Sequence, residues 1–269
     1  MTATSALGAE RHQSLLAQTA AMSRRATVAV IRQPSIVIPS LLFPLFFVAL
    51  GTSSFSKAID IPGFPEVDSF LDFALAGAIV QGILFGSTVS ATALATDIEN
   101  GFFDRLLATP TSRTSILVGR LAGGMAYGGF QTILFIAVLL PFGLNVKSGP
   151  VGVVAMVIGG VLVALAVGGL MSALALKTGS SEAVQGAFPL LFILLFFSST
   201  FFPRETMVGF HRTIADINPV SFLAEGFRSL TIESLNGAAL AETLLIPLVL
   251  SVLTLMLSLR MLRNRLAAM

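Results

Sequence analysis

The chain has 269 residues, 55% of them apolar and only 11% charged, with a formal net charge of +2, whereas soluble domains carry roughly 25% charged residues. With a mean hydropathy of +0.90 its main solvent is the bilayer, and the absence of cysteine excludes disulfides, thiolate metal sites and a cysteine nucleophile. The basic residues are scattered around the ends of apolar runs and form no single patch, which leaves no case for nucleic-acid binding.

From 13 to 32 a modest helical stripe sets Leu15, Thr19, Met22 and Ala26 on one side and Ser14, Gln18, Arg25 and Arg32 on the other. That pattern suits an amphipathic helix lying along a membrane surface, with Arg24, Arg25 and Arg32 at the headgroups. Gln33-Pro34 ends it, because proline disfavours helix at the residue before it. Six charge-poor runs follow at about 35–55, 73–95, 121–144, 151–176, 183–202 and 243–259, each near the roughly 20 residues needed to cross a hydrocarbon core. No small-residue cleavage site stands close behind the first, so it is expected to stay in the mature chain. The expected fold is one all-α integral membrane domain spanning 1–269. It comprises an N-terminal segment 1–34 with the interfacial helix, a region of six transmembrane helices over 35–259, and a basic tail at 260–269.

Eleven of the 16 basic residues fall on the face shared by the termini and the loop after span two, and five on the other. By the positive-inside rule the termini and that loop are expected in the cytoplasm. On the outer face, 56–72 carries Pro62, Gly63 and Pro65 among the acids Asp60, Glu66, Asp68 and Asp72, an irregular acidic loop. Segment 203–242 mixes polar and apolar residues and is expected to form short extracellular helices before span six. Within it Glu225 and Arg228, three apart, suit a mutual pair on one helix face. Small residues four apart at Gly82/Gly86, Gly119/Gly123 and Gly124/Gly128 let helices approach closely, within one chain or across a dimer.

No Asp, Glu, Lys, Arg or His lies in the central part of any span, where ion-coupled carriers keep such groups. His12 and His211 are far apart and outside the spans, and neither HExxH nor GxxxxGK[ST] occurs. If ATP powers this protein, another subunit binds it.

The loop after span two is more patterned than a connector. Asp97, Glu99 and Asp104 surround Gly101-Phe102-Phe103, followed by Leu106-Leu107, Thr109-Pro110 and Arg113. The acids near the start of a short amphipathic helix favour its positive dipole end. Phe102 and Phe103, expected to be exposed, suit anchors in a partner's pocket and equally suit rings resting among lipid headgroups.

At these residues the chain resembles the permease subunits of the type-2 ABC exporter family, the branch with daunorubicin-resistance and nodulation-factor export permeases. The family pattern has an acidic pair, Gly-Thr-hydrophobic, Glu, two Leu, Thr-Pro and a basic residue. Here Asp97 and Glu99, Gly101, Asp104, Leu106-Leu107, Thr109-Pro110 and Arg113 fill it, with Phe102-Phe103 replacing Thr-Leu. Arg32-Gln33-Pro34 resembles the Arg-Asp-Pro that ends the family's connecting helix. Phe201-Phe202-Pro203, Glu205, Met207-Val208-Gly209-Phe210, Asn218-Pro219 and Glu225 with Arg228 resemble its outer motif, with Val208 and Phe210 for Pro and Trp. The resemblance implies a transport subunit in the plasma membrane with no chemistry of its own and no bound cofactor or metal. A separate ABC ATPase subunit, using ATP and Mg²⁺, would receive 97–113 as a coupling helix. A second permease subunit, identical or not, would complete the path for an amphipathic drug, lipid or glycan. Phe202, Pro203, Asn218, Pro219, Glu225 and Arg228 would form the extracellular motif or gate; the substrate-binding residues are not assigned. The alternatives are an ion-coupled carrier or channel, and a membrane-embedded lipid-acting enzyme built on Asp216, Glu225 and Glu233.

Overall fold

The computed structural model of the chain describes residues 20–25, 27–28, 34–109 and 112–267. Ten helices can be labelled from residue 34 onward: α1 (Pro34–Ser54), α2 (Phe70–Glu99), α3 (Phe102–Leu107), α4 (Arg113–Leu139), α5 (Gly149–Thr178), α6 (Ser181–Gly186), α7 (Phe188–Phe196), α8 (Gly209–Ile217), α9 (Pro219–Ile232) and α10 (Gly237–Ala267). No strand occurs among the described residues. Residues 20–25 and 27–28 are helical, with Arg24 and Arg25 exposed; the rest of the expected interfacial helix, Arg32 included, lies outside the described residues.

Five helices, α1, α2, α4, α5 and α10, are long and apolar enough to cross a membrane. The expected fifth run, 183–202, differs: it divides into α6, α7 and a buried turn at Ser198–Thr200. Pro189 has no amide hydrogen and stands in the first turn of α7, so an intact α-ladder cannot pass through it. Ser181–Phe196 rises only about 24 Å at 1.5 Å per residue. The apolar run is as long as a span, but the regular helix within it is not.

Helix α2 is the axis of the bundle. Ser69 and Asp72 close a capping box at its start, and 20 of its 30 residues are buried. It packs against α1, α4, α5, α6 and α9, so Asp72, Gln81, Ser87 and Thr88 are enclosed along with its apolar residues. Around it the helices approach through small residues, as in lipid they must for want of a hydrophobic drive. A Cβ on Gly128 of α4 would sit 2.5 Å from the Ala164 Cβ and 3.0 Å from the Gly160 carbonyl of α5. Gly82 and Gly86 of α2 lie as close to Gln131, Phe135 and Tyr127 of α4. These glycines therefore serve packing within one chain.

Hydroxyls complete the bundle. Ser251 donates to the Leu162 carbonyl at 2.7 Å, Ser258 to that of Gly169, and Thr243 to that of Gly226 at 2.7 Å. In α1, Pro44 cannot supply the amide hydrogen that the Ser40 carbonyl would receive four residues back. Gln131 Nε2 supplies it instead, at 3.0 Å, and Ser40 Oγ pairs with Tyr127 at 2.6 Å. The proline is thus tolerated because a neighbouring helix satisfies the freed carbonyl.

The two ends of the bundle are built differently. One end holds α3. The other holds the connections at 55–69 and 140–148 and the α8–α9 pair, and it is clasped by polar contacts. Asp72 accepts from the Asn145 amide at 2.8 Å, Lys147 pairs with Asp68 at 3.3 Å, and the Lys147 amide donates to Thr231 at 2.9 Å.

Candidate functional site

At the α3 end, α2 stops at Glu99 and the chain turns through Gly101, whose φ of +65° lies in the left-handed region, where glycine is the residue of least strain. No atom lies within 4 Å of a Cβ placed there, so backbone conformation and not space calls for glycine. Six residues of helix follow, and Thr109 Oγ1 closes the turn on the Leu106 carbonyl at 2.6 Å. Ser112 caps α4 through the Ser115 amide at 3.0 Å. Pro110 lies outside the described residues.

The side chains of this loop divide between inward and outward roles. Phe103 is 2% exposed and belongs to the core of the bundle, with Leu106 and Leu107 packed against the same cluster. This corrects the expectation of two exposed rings: Phe103 is a wedge into its own chain and is not available as an anchor. Phe102 is half-buried, with the Arg25 guanidinium 4.7 Å and that of Arg105 5.8 Å from its ring centre. Of the acids, Asp97 is bound by Arg120 of α4, and Glu99 accepts the Ser181 amide of α6 at 2.6 Å, favourably placed against the positive end of that helix. Asp104, Arg105, Thr109 and Arg113 are exposed. The outward face is therefore small and of mixed charge, while the other acids fasten α2 to α4 and α6.

At the opposite end Pro203 and Asn218 are buried and Phe202 is exposed, the latter edge-on to Phe55 with ring centres 6.1 Å apart. Asn218 organises the entry to α9. Its amide donates to the carbonyls of Leu194 at 2.7 Å and Phe197 at 2.9 Å, and its oxygen accepts from Val220 at 2.9 Å. Pro219 occupies the first turn, where a missing amide hydrogen is harmless.

Glu225 does not pair with Arg228. Arg204 grips Glu225 with two donors and lies 4.6 Å over the Phe222 ring. Arg228, 5% exposed, donates to the Ser199 carbonyl at 2.7 Å and the Thr200 carbonyl at 3.2 Å, with its guanidinium 3.8 Å over Phe73. The two carbonyls belong to the turn that follows α7, where the helical ladder has ended and leaves acceptors over. A guanidinium keeps its charge and carries five donors, so it fills that need where a pairing carboxylate would not. Arg204 is the residue that sequence reasoning missed: it follows Phe202-Pro203 directly, but no fixed helical spacing links it to Glu225.

Beside α2 near the α3 end lies an open cleft of about 650 Å³ lined by Phe85, Thr88, Val89, Thr92, Asp97 and Phe188 among others. The hydroxyls of Thr88, Thr92 and Thr96 donate back to carbonyls four residues earlier in α2, which leaves their lone pairs outward. The described residues hold no group of three or more His, Cys, Asp or Glu able to bind a metal.

Residues 17–232 match the family model described as "ABC-2 type transporter". The chain is 32% identical to the daunorubicin resistance ABC transporter permease protein DrrB1 of Streptomyces coeruleorubidus over 77% of its own length and 72% of that protein's. The chain belongs to the ABC-2 type transporter family. It is also 28% identical to the putative transport permease ycf38 of Pyropia yezoensis, over 81% of this chain and 75% of that one. To the inner membrane transport permease YadH of Escherichia coli K12 it is 25% identical, over 72% and 74%. This ABC-2 chain is thus a multi-pass membrane protein of a transport permease family. The family match ends at 232, the last residue of α9, so α10 completes the packing of an ABC-2 permease outside the matched stretch.

Proposed function

We propose that this chain is the transmembrane subunit of an ATP-driven exporter, with α3 and its flanks as the docking element for a separate ATPase subunit. The observation that carries the reading is the coupling of α3 to α2: a helix whose outward face is free is fused to the most enclosed helix of the bundle and wedged into the core by Phe103. A push on Asp104, Arg105 and Arg113 from an ATPase closing on ATP and Mg²⁺ would pass through that wedge without first bending a loop. The conformational work then falls on the permease, and no side chain of the chain performs chemistry.

In this reading both termini are cytoplasmic, the membrane is the plasma membrane, and the segment beginning at α6 is a sixth crossing. Its contacts along α2 support that. Ser181 meets Glu99 and Thr200 meets Gly77, positions separated by a rise of about 33 Å at 1.5 Å per residue, as much as the hydrocarbon thickness of about 30 Å. Within the broken segment the buried turn after α7 is held by Arg228 through the Ser199 and Thr200 carbonyls. A second permease subunit, identical or related, would close the path, and the cleft along Thr88 and Thr92 would offer rings and hydroxyl oxygens to an amphipathic substrate. One relative is named for daunorubicin resistance, which supports trying a drug first, beside lipids and glycans.

The test is affinity purification of this chain in mild detergent, with identification of the ATPase subunit that stays attached. The wild-type pair should hydrolyse ATP and the chain alone should not. Reversing the outward charges with Asp104→Lys and Arg105→Glu together should weaken capture at least tenfold while the chain still folds. Undiminished capture and transport by that variant would sink the docking assignment.

A further inference from the structure

We propose that a cavity of about 210 Å³ within a single chain, between α1, α2 and the turn at 196–202, binds a small aromatic molecule carrying one hydrogen-bond acceptor. Phe47, Phe55, Phe70, Phe73, Phe201 and Phe202 contribute to its wall, and rings in such a wall offer both edges and faces to a guest ring. An enclosed engineered apolar cavity of about 150 Å³ holds benzene and otherwise stays dry; this one is partly open and has room for a ring and a short substituent.

The polar feature of the wall sets the chemistry of that substituent. Gln81 is 1% exposed and lines the cavity, and its Nε2 has no hydrogen-bond partner. A buried donor left unpaired is unfavourable, and the terminal torsion of glutamine is soft enough to turn its amide toward a guest. A carbonyl on the guest would take that donor, whereas an acyl chain of a lipid would leave it unpaired. The void is not a general slackness of the bundle. A Cβ on Gly51 would sit 2.7 Å from the Phe70 ring, and one on Gly77 3.0 Å from Thr200, so the walls meet closely at both places. The site is separate from the open cleft along Thr88 and Thr92, and it needs neither a second subunit nor nucleotide. Its fate is therefore independent of the docking assignment for α3.

The full chain in nanodiscs, without any ATPase, is irradiated with 4-azidoacetophenone, a single-ring aryl ketone that loses N2 and cross-links through its nitrene where it rests, and the adducts are mapped by mass spectrometry. Adducts are expected in 44–55 and 70–81. Acetophenone should suppress them at about a fivefold lower membrane mole fraction than ethylbenzene, the factor of one neutral hydrogen bond. Gln81→Leu should bring acetophenone to the level of ethylbenzene, and Ala74→Phe or Val48→Phe, which fill the cavity, should cut the yield about tenfold. The wild-type ratio of the two competitors stands without any variant having to fold. Equal potency of acetophenone and ethylbenzene, adducts confined to lipid-facing residues of α10, or displacement by added phospholipid alone would each overturn the assignment.

Discussion

Replacing Phe103 with alanine should release α3 from the bundle while leaving the membrane helices in place. The ring is 2% exposed and sits in the shared core, and truncating such a phenylalanine costs about 3–5 kcal/mol in packed interiors. A six-residue helix has almost no stability of its own, since nucleation is unfavourable and few bonds follow it. The penalty therefore falls on the docked state of α3 and not on the whole fold. Taking 3 kcal/mol as the lower bound, the undocked population rises by about 150-fold, at roughly 1.4 kcal/mol per factor of ten. Hydrogen exchange reads this directly, because the amides of Arg105, Ala108 and Thr109 are bonded only within the turn, to Gly101, Asp104 and Leu106. Their exchange should accelerate about 100-fold, while amides in the middle of α5 keep their wild-type rates. Phe102→Ala, which removes a half-buried ring and the Arg25 contact, should accelerate the same amides only a few-fold, a cation–π contact at such a site being worth about 0.5–1 kcal/mol. If the Phe103→Ala amides stayed within threefold of wild type, α3 would be held by something other than this ring, and the rigid link to α2 would be refuted.

Arg228→Lys should destabilise nearly as much as Arg228→Met in a thermal unfolding assay in detergent, because one ammonium cannot both lie flat over Phe73 and serve the Ser199 and Thr200 carbonyls as a guanidinium does; full stability of the lysine variant would contradict this. Gly128→Val should force α4 away from α5 and cost about 1–3 kcal/mol or more by overpacking, visible as a lowered melting temperature. Gln131→Leu should cost about 1 kcal/mol in the wild-type background and measurably less beside Pro44→Ala, which restores the amide hydrogen for Ser40; additive effects in that double-mutant cycle would disprove the compensation.

Much of the bundle is legible in the sequence because the bilayer imposes length and composition together. Five apolar runs coincide with helices, although α4 begins at Arg113 and α10 runs from Gly237 to Ala267, well past the apolar stretches at 121–144 and 243–259. A hydrophobic run marks where lipid is, and a helix continues into water wherever its own hydrogen bonds hold. The run at 183–202 was the exception because hydropathy counts Pro189 and its neighbours without regard to the missing amide hydrogen. Within the loop motif, residue types and order identify the segment, but side-chain direction is a tertiary property. Nothing in Gly-Phe-Phe distinguishes the ring that wedges inward from the one under Arg25. Likewise Glu225 and Arg228 have the spacing of a helical pair, yet each found a better partner in Arg204 and in the carbonyls left by the end of α7. Asp97 and Arg120 flank the loop from opposite sides, an arrangement that could have suggested their pairing, since two helices leaving one short connection must run side by side.

The clasp at the end opposite α3 bears on how the chain can be labelled. Asn145 and Lys147 reach Asp72, Asp68 and Thr231 through main-chain as well as side-chain atoms, so an epitope spliced between them would unfasten three connections at once. Ile61, Pro62 and Gly63 are exposed, in a turn outside that set of contacts. A tag carried there leaves the clasp whole and reports from the surface of intact cells which side of the membrane this end occupies.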